Sequence, residues 1–497
     1  RYIYIQIQWF CLARDRSSSE YGSNLIGSYI METFITSANR GSISTGYDID
    51  NSVKLEADNS ESLRSNSIST SPTNTKTGTF SFWVKRTELG ANYLLVAGNS
   101  ARYSRIFFNS SDQLQLYAGD SGWNSVQPIT DAVYRDTAAW YHLVLRIDSN
   151  NGTAANRLRL YSNGVEQTWG TSPNITQNAN MTLLEAFSSP GYQAWGANLA
   201  YYSANAFFSG YLAEVHYVDG QSLAPTEFGE TDEDSGIWKP KEYDGTHGNC
   251  GYYLDFTDSG NLGDNKASSG STFDFNENNI TAADQATDTP TNNFCTLNPL
   301  MVYGNALTTG PFEGATRVSG GAWAGTRGTM GVENGKWYYE FKTSGGDSIV
   351  GIQTDDGVAL TGNGHNILST CGFYVGTGGE IWIKDSTSGR NDRDVTHTFS
   401  SSTINGIAIN MDDNQISFYQ NGSLVTNGGN IDLDGLSNKT VFPFASNYNN
   451  NQQFNFGGYT TISISSAATD ANGYGTFEYA PPSGYYALCS KNLAEYG

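Results

Sequence analysis

Charge is scarce in this sequence: 15% of its 497 residues are Asp, Glu, Lys or Arg. What charge there is runs acidic, with 49 acids against 27 bases and a net −22. A surface of that sign repels a phosphate backbone, so nucleic acid is not an expected partner. Histidine and cysteine are thin as well, five of each. The histidines are scattered, with no HExxH or His-x-His pair, which argues against a histidine-built metal centre. The cysteines (Cys11, Cys250, Cys295, Cys371 and Cys489) are odd in number, far apart and without a CxxC pair. That pattern fits neither a disulfide framework nor a zinc knuckle; free thiols suit assembly in a reducing cytosol. Long apolar runs are missing too. The nearest approach, Tyr2–Ala13, is too short to span a bilayer, is broken by two Gln, and matches a signal peptide poorly. No membrane insertion is expected.

What remains is rich in Gly, Ser, Asn, Thr and aromatic residues, with 31 Tyr exceeding all Lys and Arg together. Aromatic and β-branched residues suit pleated surfaces, while Gly and Asn supply the positive-φ positions of tight turns. Period-two alternation recurs. In TFSFWVKR, Phe80, Phe82 and Val84 share one face and Ser81, Trp83 and Lys85 the other. In WYHLVLRID, Tyr141, Leu143, Leu145 and Ile147 oppose His142 and Arg146; Trp337, Tyr339 and Phe341 alternate with Tyr338, Glu340 and Lys342. These are strands with one core face. No amphipathic helix of three or more turns is evident. Two segments in different halves end alike, in Tyr-x-Asn-Gly at Asn163-Gly164 and Asn421-Gly422, a tight-turn signal between strands. The fold class is all-β, with two antiparallel β-sandwiches, and no 20–50-residue repeat points to a solenoid or propeller.

The expected organisation starts with residues 1–30 as upstream sequence or a disordered extension, since a plausible start lies at Met31. Residues 31–50 form an N-terminal arm, 51–228 a first sandwich, 229–300 an acidic, turn-rich connector, and 301–497 a second sandwich. Within the connector, GYYLDF (251–256) reads as a candidate strand of the first sandwich.

Several segments carry family resemblances. VKLEADNSESLRS, TFSFWVKR, WYHLVLRID with RLRLYSNGVEQ, and GYLAEVHYVDGQSL follow the order of the laminin-G-like, concanavalin-A-like jelly roll, which they resemble over 51–228. GKWYYEFKT, IVGIQTDD, GFYVG, EIWIK, INGIAINMDDNQISFYQNG and VFPFASNYNNNQQFNFG resemble a SPRY domain over about 330–460. SANRGSISTGYDIDNS, WKPKEYDGTHG, DTPTNNFCTLNPL and YAPPSGYYALCSKNL are similar to recurring phrases of phage and metagenomic virion proteins. These resemblances imply a non-catalytic fibre or decoration protein on the virion surface, assembled in the host cytoplasm. They also imply contacts with host-surface glycan or protein and with other virion subunits, made as a homo-oligomer whose many weak sites act together. Two other readings stay open here: a glycan-cleaving enzyme of the concanavalin-A-like glucanase type, and a purely structural capsid or tail component.

Candidate chemistry is sparse. Laminarinase-like relatives carry Glu-x-Asp-x-x-Glu on one strand, and Glu56-Ala-Asp58-Asn-Ser-Glu61 has that spacing. A retaining pair needs its carboxyls about 5–5.5 Å apart, but Asn59 and Ser60 are turn formers, so a turn is expected instead. Gly119-Asp-Ser121-Gly122 looks like a serine-protease loop, yet the His and Asp contexts of a triad are missing. No catalytic residue is assigned. For ligand binding, Trp123, Trp169, Tyr192 and Trp195 lie in Gly/Ser/Asn-rich segments and are candidates for exposed rings, as are Trp323 and Tyr448 in the second half. Cofactors are not expected; the oxygen-rich pairs Asp232/Asp234, Asp355/Asp356 and Asp412/Asp413 are weak calcium candidates, none with EF-hand spacing.

Overall fold

The computed structural model of the chain describes residues 46–65, 70–98, 103–118, 127–185, 192–197, 207–268, 273–304, 309–320, 323–344, 347–355, 370–375, 380–385, 390–394 and 403–497. Trp123, Ser121, Asp356 and the segment 1–30 lie outside them. The described residues are nearly all β, with one α-helix of a turn or two at the C-terminus, Ser490–Tyr496. All long strand pairings are antiparallel, and two sandwiches are built from four sheets.

In the first sandwich, sheet 1 runs in spatial order Val165–Glu166, Leu158–Ser162, Trp140–Asp148, Thr77–Arg86, Gly210–Asp219, Ser52–Leu55 and Gln285–Ala286, with Tyr252–Leu254 also paired to Gly210–Asp219. Sheet 2 runs Trp169–Thr171, Ile129–Val133, Gln113–Ala118, Tyr103–Phe108, Asn92–Gly98, Tyr192–Trp195, Ser62–Ser65 and Phe275–Asn278. The alternation read from the sequence faces the core as expected: Phe80, Phe82, Val84, Leu143, Leu145 and Ile147 meet Ile106, Phe108, Leu114 and Leu116 between the sheets. Burying one such side chain contributes roughly 1.5–3 kcal/mol, which fixes the register, because a slip by one residue would turn the whole set outward.

The second sandwich follows the same logic. Sheet 3 contains Leu297–Gly304, Ala324–Gly328, Val441–Tyr448, Asp347–Thr354, Thr370–Val375, Glu380–Asp385 and Arg390–Asp394. Sheet 4 is centred on Lys336–Thr343, flanked by Asn405–Asn410 and Asn450–Asn455. Trp337, Tyr339 and Phe341 point into its core beside Ile352, Ile407 and Phe418. Both Asn-Gly hairpins form as read: Asn163 and Gly164 have φ of 48° and 77°, Asn421 and Gly422 of 47° and 74°. Two positive-φ residues in succession match the twist of the flanking strands. At Gly164 a Cβ would also meet the Trp238 ring at 2.4 Å, so the turn lies under that indole.

Residues 229–300 are not only a connector. They supply Tyr252–Leu254 and Gln285–Ala286 to sheet 1, Phe275–Asn278 to sheet 2, and the start of Leu297–Gly304 to sheet 3. Their Gly and Asp density marks turns between short strands, each too brief for alternation to show. They also cover the outer face of sheet 1, which alternation alone would leave to solvent. Trp83, Lys85, His142 and His216 on that face are all buried.

Candidate functional site

The outer face of sheet 2 is the most chemically distinctive surface of the first sandwich. In Tyr103–Phe108 the even-numbered Ile106 and Phe108 enter the core, so Tyr103, Arg105 and Phe107 turn outward. The same alternation turns out Gln115 and Tyr117, and a bulge after Tyr93 brings Val96 to that face. Pairing aligns Arg64, Ala194, Val96, Arg105 and Tyr117 in one row across five strands. The small side chains in the middle let rings lie along the row. Tyr103 stacks on Tyr117 at 5.4 Å and Tyr93 on Phe107 at 5.1 Å.

The Arg105 guanidinium sits among all four rings, 4.5 Å from the Tyr117 centroid, 5.0 Å from Phe107, 5.4 Å from Tyr93 and 5.9 Å from Tyr103. Arg64 lies 4.3 Å over Tyr192. Such contacts hold a cation without neutralising it. Tyr93, Arg105, Gln115, Tyr117 and Arg64 are half-buried, so part of this surface meets solvent.

The individually read aromatics distribute unevenly. Tyr192 belongs to this outer face, but it is nearly buried, at 7% exposure. Trp195, three residues on, points the opposite way and is fully buried. Its indole N–H donates to the Tyr252 hydroxyl at 2.9 Å and its ring meets Phe82 edge-on. The expectation of exposed rings fails at both, because Tyr192–Trp195 is a central strand of sheet 2 between two other strands. Trp169 is half-buried at the edge of sheet 2, packed on the core. Trp323 and Tyr448 come together on the second sandwich, stacked at 5.7 Å, with Tyr448 37% exposed. What the sequence reading missed is the Tyr93–Phe107–Arg105–Tyr117 group; the signal was YSRIFF followed by QLQLYA, whose outward positions are aromatic, Arg and Gln.

The acid motif is a turn rather than a strand. Residues 57–60 turn back between Ser52–Leu55 and Ser62–Ser65, leaving Asp58 exposed and burying Glu56 and Glu61. Both carboxylates are occupied. Glu56 accepts the Ser209 hydroxyl at 2.9 Å and the Glu313 backbone N–H at 2.6 Å; burial raises its pKa. Glu61 accepts two bonds at 2.9 Å from the Lys54 ammonium and one at 2.9 Å from the Asn59 amide, and Lys54 also meets Asp284 at 2.7 Å and Glu313 at 3.1 Å. Burial alone would lower the Lys54 pKa, but Tyr459 and these three carboxylates hold it well above its ordinary range. Glu313 and Tyr459 come from the second half, so this network is a seam between sandwiches. A second tie lies beside it: Lys85 donates to Asp288 and Asn293, both at 2.7 Å, and Trp140 donates to Asp288 at 3.0 Å.

A serine–histidine contact exists where none was sought. Ser81 Oγ and His142 Nε2 are 2.9 Å apart, and His142 Nδ1 accepts the Trp238 indole N–H at 2.9 Å. Burial drives the imidazole pKa down to about 3, so the ring is neutral. With Nδ1 accepting, the proton rests on Nε2 and is donated to Ser81. This tautomer cannot take the serine proton, as a nucleophile's partner must. His216 and His247 touch at 3.2 Å, and His216 stacks on Tyr253 at 4.2 Å.

Among the described residues, no group of three or more His, Cys, Asp or Glu is placed to hold a metal. Asp232 accepts the Ser235 N–H and hydroxyl on Oδ1 and meets Lys239 through Oδ2 at 3.4 Å, which lowers its pKa to about 2. Asp234 is exposed and Asp355 half-buried. These carboxylates do not converge as a calcium cage requires.

Residues 56–227 match the family model of the concanavalin A-like lectin/glucanases superfamily. No curated protein matches the chain. Among solved structures, a native heptameric SAP-like pentraxin from Limulus polyphemus is similar at 17% identity, over 36% of this chain and 80% of that one, with a TM-score of 0.27. The SPRY domain of human HERC1 is similar at 12% identity, over 34% of this chain and 99% of its own, TM-score 0.26. Domain 4 of AbnA, an extracellular arabinanase from Geobacillus stearothermophilus in complex with arabinotriose, is similar at 20% identity over 35% and 73%, TM-score 0.25. None of these likenesses bears on ligand or activity.

Proposed function

We propose that this chain is a non-catalytic glycan-binding protein displayed on a virus particle. It assembles in the host cytoplasm as a homo-oligomer, packs against other virion subunits, and meets a host-surface sugar through the outer face of sheet 2. The observation that carries the binding reading is the half-buried group Tyr93, Arg105 and Tyr117 backed by the buried Phe107, since flat rings stack on the apolar faces of pyranoses and a cation among them fixes orientation. The non-catalytic part rests on the acids. Of the three with glucanase-like spacing, Glu56 and Glu61 are spent on a lysine, a serine and a backbone N–H at the seam, and Asp58 stands exposed on the turn away from them. The virion part rests on the resemblance of the sequence phrases.

The test is a glycan array probed with the full chain, alongside a reducing-end assay on the polysaccharides that bind. Binding without release of new reducing ends is expected. Release of product would replace this reading with the glucanase one, and an array with no binder would leave the purely structural role. Gold-labelled antibody to the chain should decorate particle surfaces; unlabelled particles would remove the virion assignment.

A further inference from the structure

We infer that the sugar taken by the outer face of sheet 2 is acidic, a uronic or sialic acid unit whose carboxylate meets Arg105. The inference rests on the glycan-binding reading and narrows it. Among the described residues, the other arginines of the first sandwich and its buried lysines have oxygen partners: Arg146 donates to the Ser222 carbonyl at 3.0 Å, and Arg157 to the Asn151 and Ile175 carbonyls at 2.8 and 2.9 Å. Lys54 holds three carboxylates, Lys85 holds Asp288, Arg86 and Arg135 share Asp112, and Arg159 holds Glu166. Arg64 and Arg105 break that rule. Among the described residues neither makes an ion pair with a carboxylate, although acids outnumber bases by 49 to 27 in the chain. Among the described residues, rings are what hold Arg105, and its Nε is buried without a hydrogen-bond partner. A guanidinium held among rings keeps its fork of N–H donors for a planar anion, and a carboxylate fits that fork with two parallel bonds.

The spacing suits an extended chain of sugars. Arg64 and Arg105 stand in one cross-strand row with Ala194 and Val96 between them. Three inter-strand steps of about 4.8 Å put their backbones roughly 14 Å apart. Rings flank both ends, so successive units of a polymer could each find a ring, with acid groups at the two cations. The net charge of −22 opposes a polyanion at long range. Discrimination is therefore local, and physiological salt, with a screening length of about 8 Å, favours it.

The experiment compares the intact chain with Arg105→Gln, Arg105→Lys and Arg64→Gln on immobilised polygalacturonate and on neutral arabinan in 0.15 M salt. Arg159→Gln, on an exposed pair, serves as control, and circular dichroism checks that each variant is folded. The intact chain should prefer the acidic polymer. Arg105→Gln should weaken that binding about tenfold to a hundredfold, the range of one charge-assisted bond, and leave arabinan binding unchanged. Arg105→Lys should fall between, keeping charge but losing the fork. Arg64→Gln gives a second, smaller loss should Arg105→Gln fail to fold. Equal binding of both polymers, unmoved by either arginine, overturns the acidic reading and leaves glycan binding standing. Binding to neither polymer, with neutral binders found on the array, overturns it as well, and an empty array removes the parent reading with it.

Discussion

The seam between the sandwiches and the outer face of sheet 2 both hold cations in partly or wholly dry surroundings, but they treat them in opposite ways. At the seam, Lys54 and Lys85 are buried and ion-paired, Lys54 with three carboxylates and Lys85 with Asp288. On the face, Arg105 has rings around it and donors left over. A closed ion network fixes how two bodies sit together and offers nothing to a ligand. A cation positioned by stacking is placed without being neutralised, which is what recognition of an anion needs. Partner bookkeeping, not charge itself, separates the two roles.

The comparison breaks first, and most severely, at Lys54. Lys54→Ala leaves Glu61, Asp284 and Glu313 facing one another without their cation. Breaking a buried pair this way costs about 3–5 kcal/mol. Removing the exposed pair with Arg159→Ala should cost about 1 kcal/mol or less. Denaturant titration of both variants checks this, and equal losses would mean that the seam contributes no more than surface charge. Trp195→Ala asks the same of the two faces of one strand. It should destabilise by about 3–5 kcal/mol, as for a fully buried indole, while glycan affinity per folded molecule stays unchanged. A selective loss of affinity would return Trp195 to the binding site.

A smaller effect is set by pH. Burial pushes the Glu340 carboxyl up to about 7, even though the Glu478 and Tyr479 amides and Asn455 hydrogen-bond its charged form. Its folded value lies above the unfolded value of about 4.3. Its contribution to stability is therefore fully present below about pH 4.3 and lost as pH rises through 7, roughly 4 kcal/mol in all. Unfolding free energies at pH 5 and pH 8 should differ less in Glu340→Gln than in the intact chain. An identical pH dependence in the two would show that another group carries the titration. Smallest of all, Trp323→Ala removes a stacked, half-exposed ring and should cost only about 0.5–1.5 kcal/mol of ring-pair energy. Array signal lost in this variant, but kept in Arg105→Gln, would move the site to the second sandwich.

The fold was legible where alternation runs long. Phe80–Val84, Leu143–Ile147 and Trp337–Phe341 announce their core faces because five or more residues repeat the pattern. Tyr192–Trp195 does not, since four residues flanked by Gly read as a loop until neighbouring strands are known. The seam was invisible for a different reason. Lys54 meets Glu313 from 259 residues away, and no local spacing encodes that distance. The ring-and-arginine face lay between: YSRIFF alternates plainly, but Arg105 among its rings depends on Tyr93 and Tyr117, which reach it only through pairing of three strands.

The shielding of sheet 1 by residues 229–300 bears on how such modules can be cut and recombined. A fragment ending at 228 would lose strands from both layers of its sandwich and bare the Lys85, His142 and His216 side that water does not otherwise reach. Any shuffling that preserves the first sandwich must therefore carry the following seventy-odd residues with it, making the heritable unit longer than the 56–227 stretch that family likeness delimits. Grafts onto other carriers should be joined beyond the last of those borrowed strands.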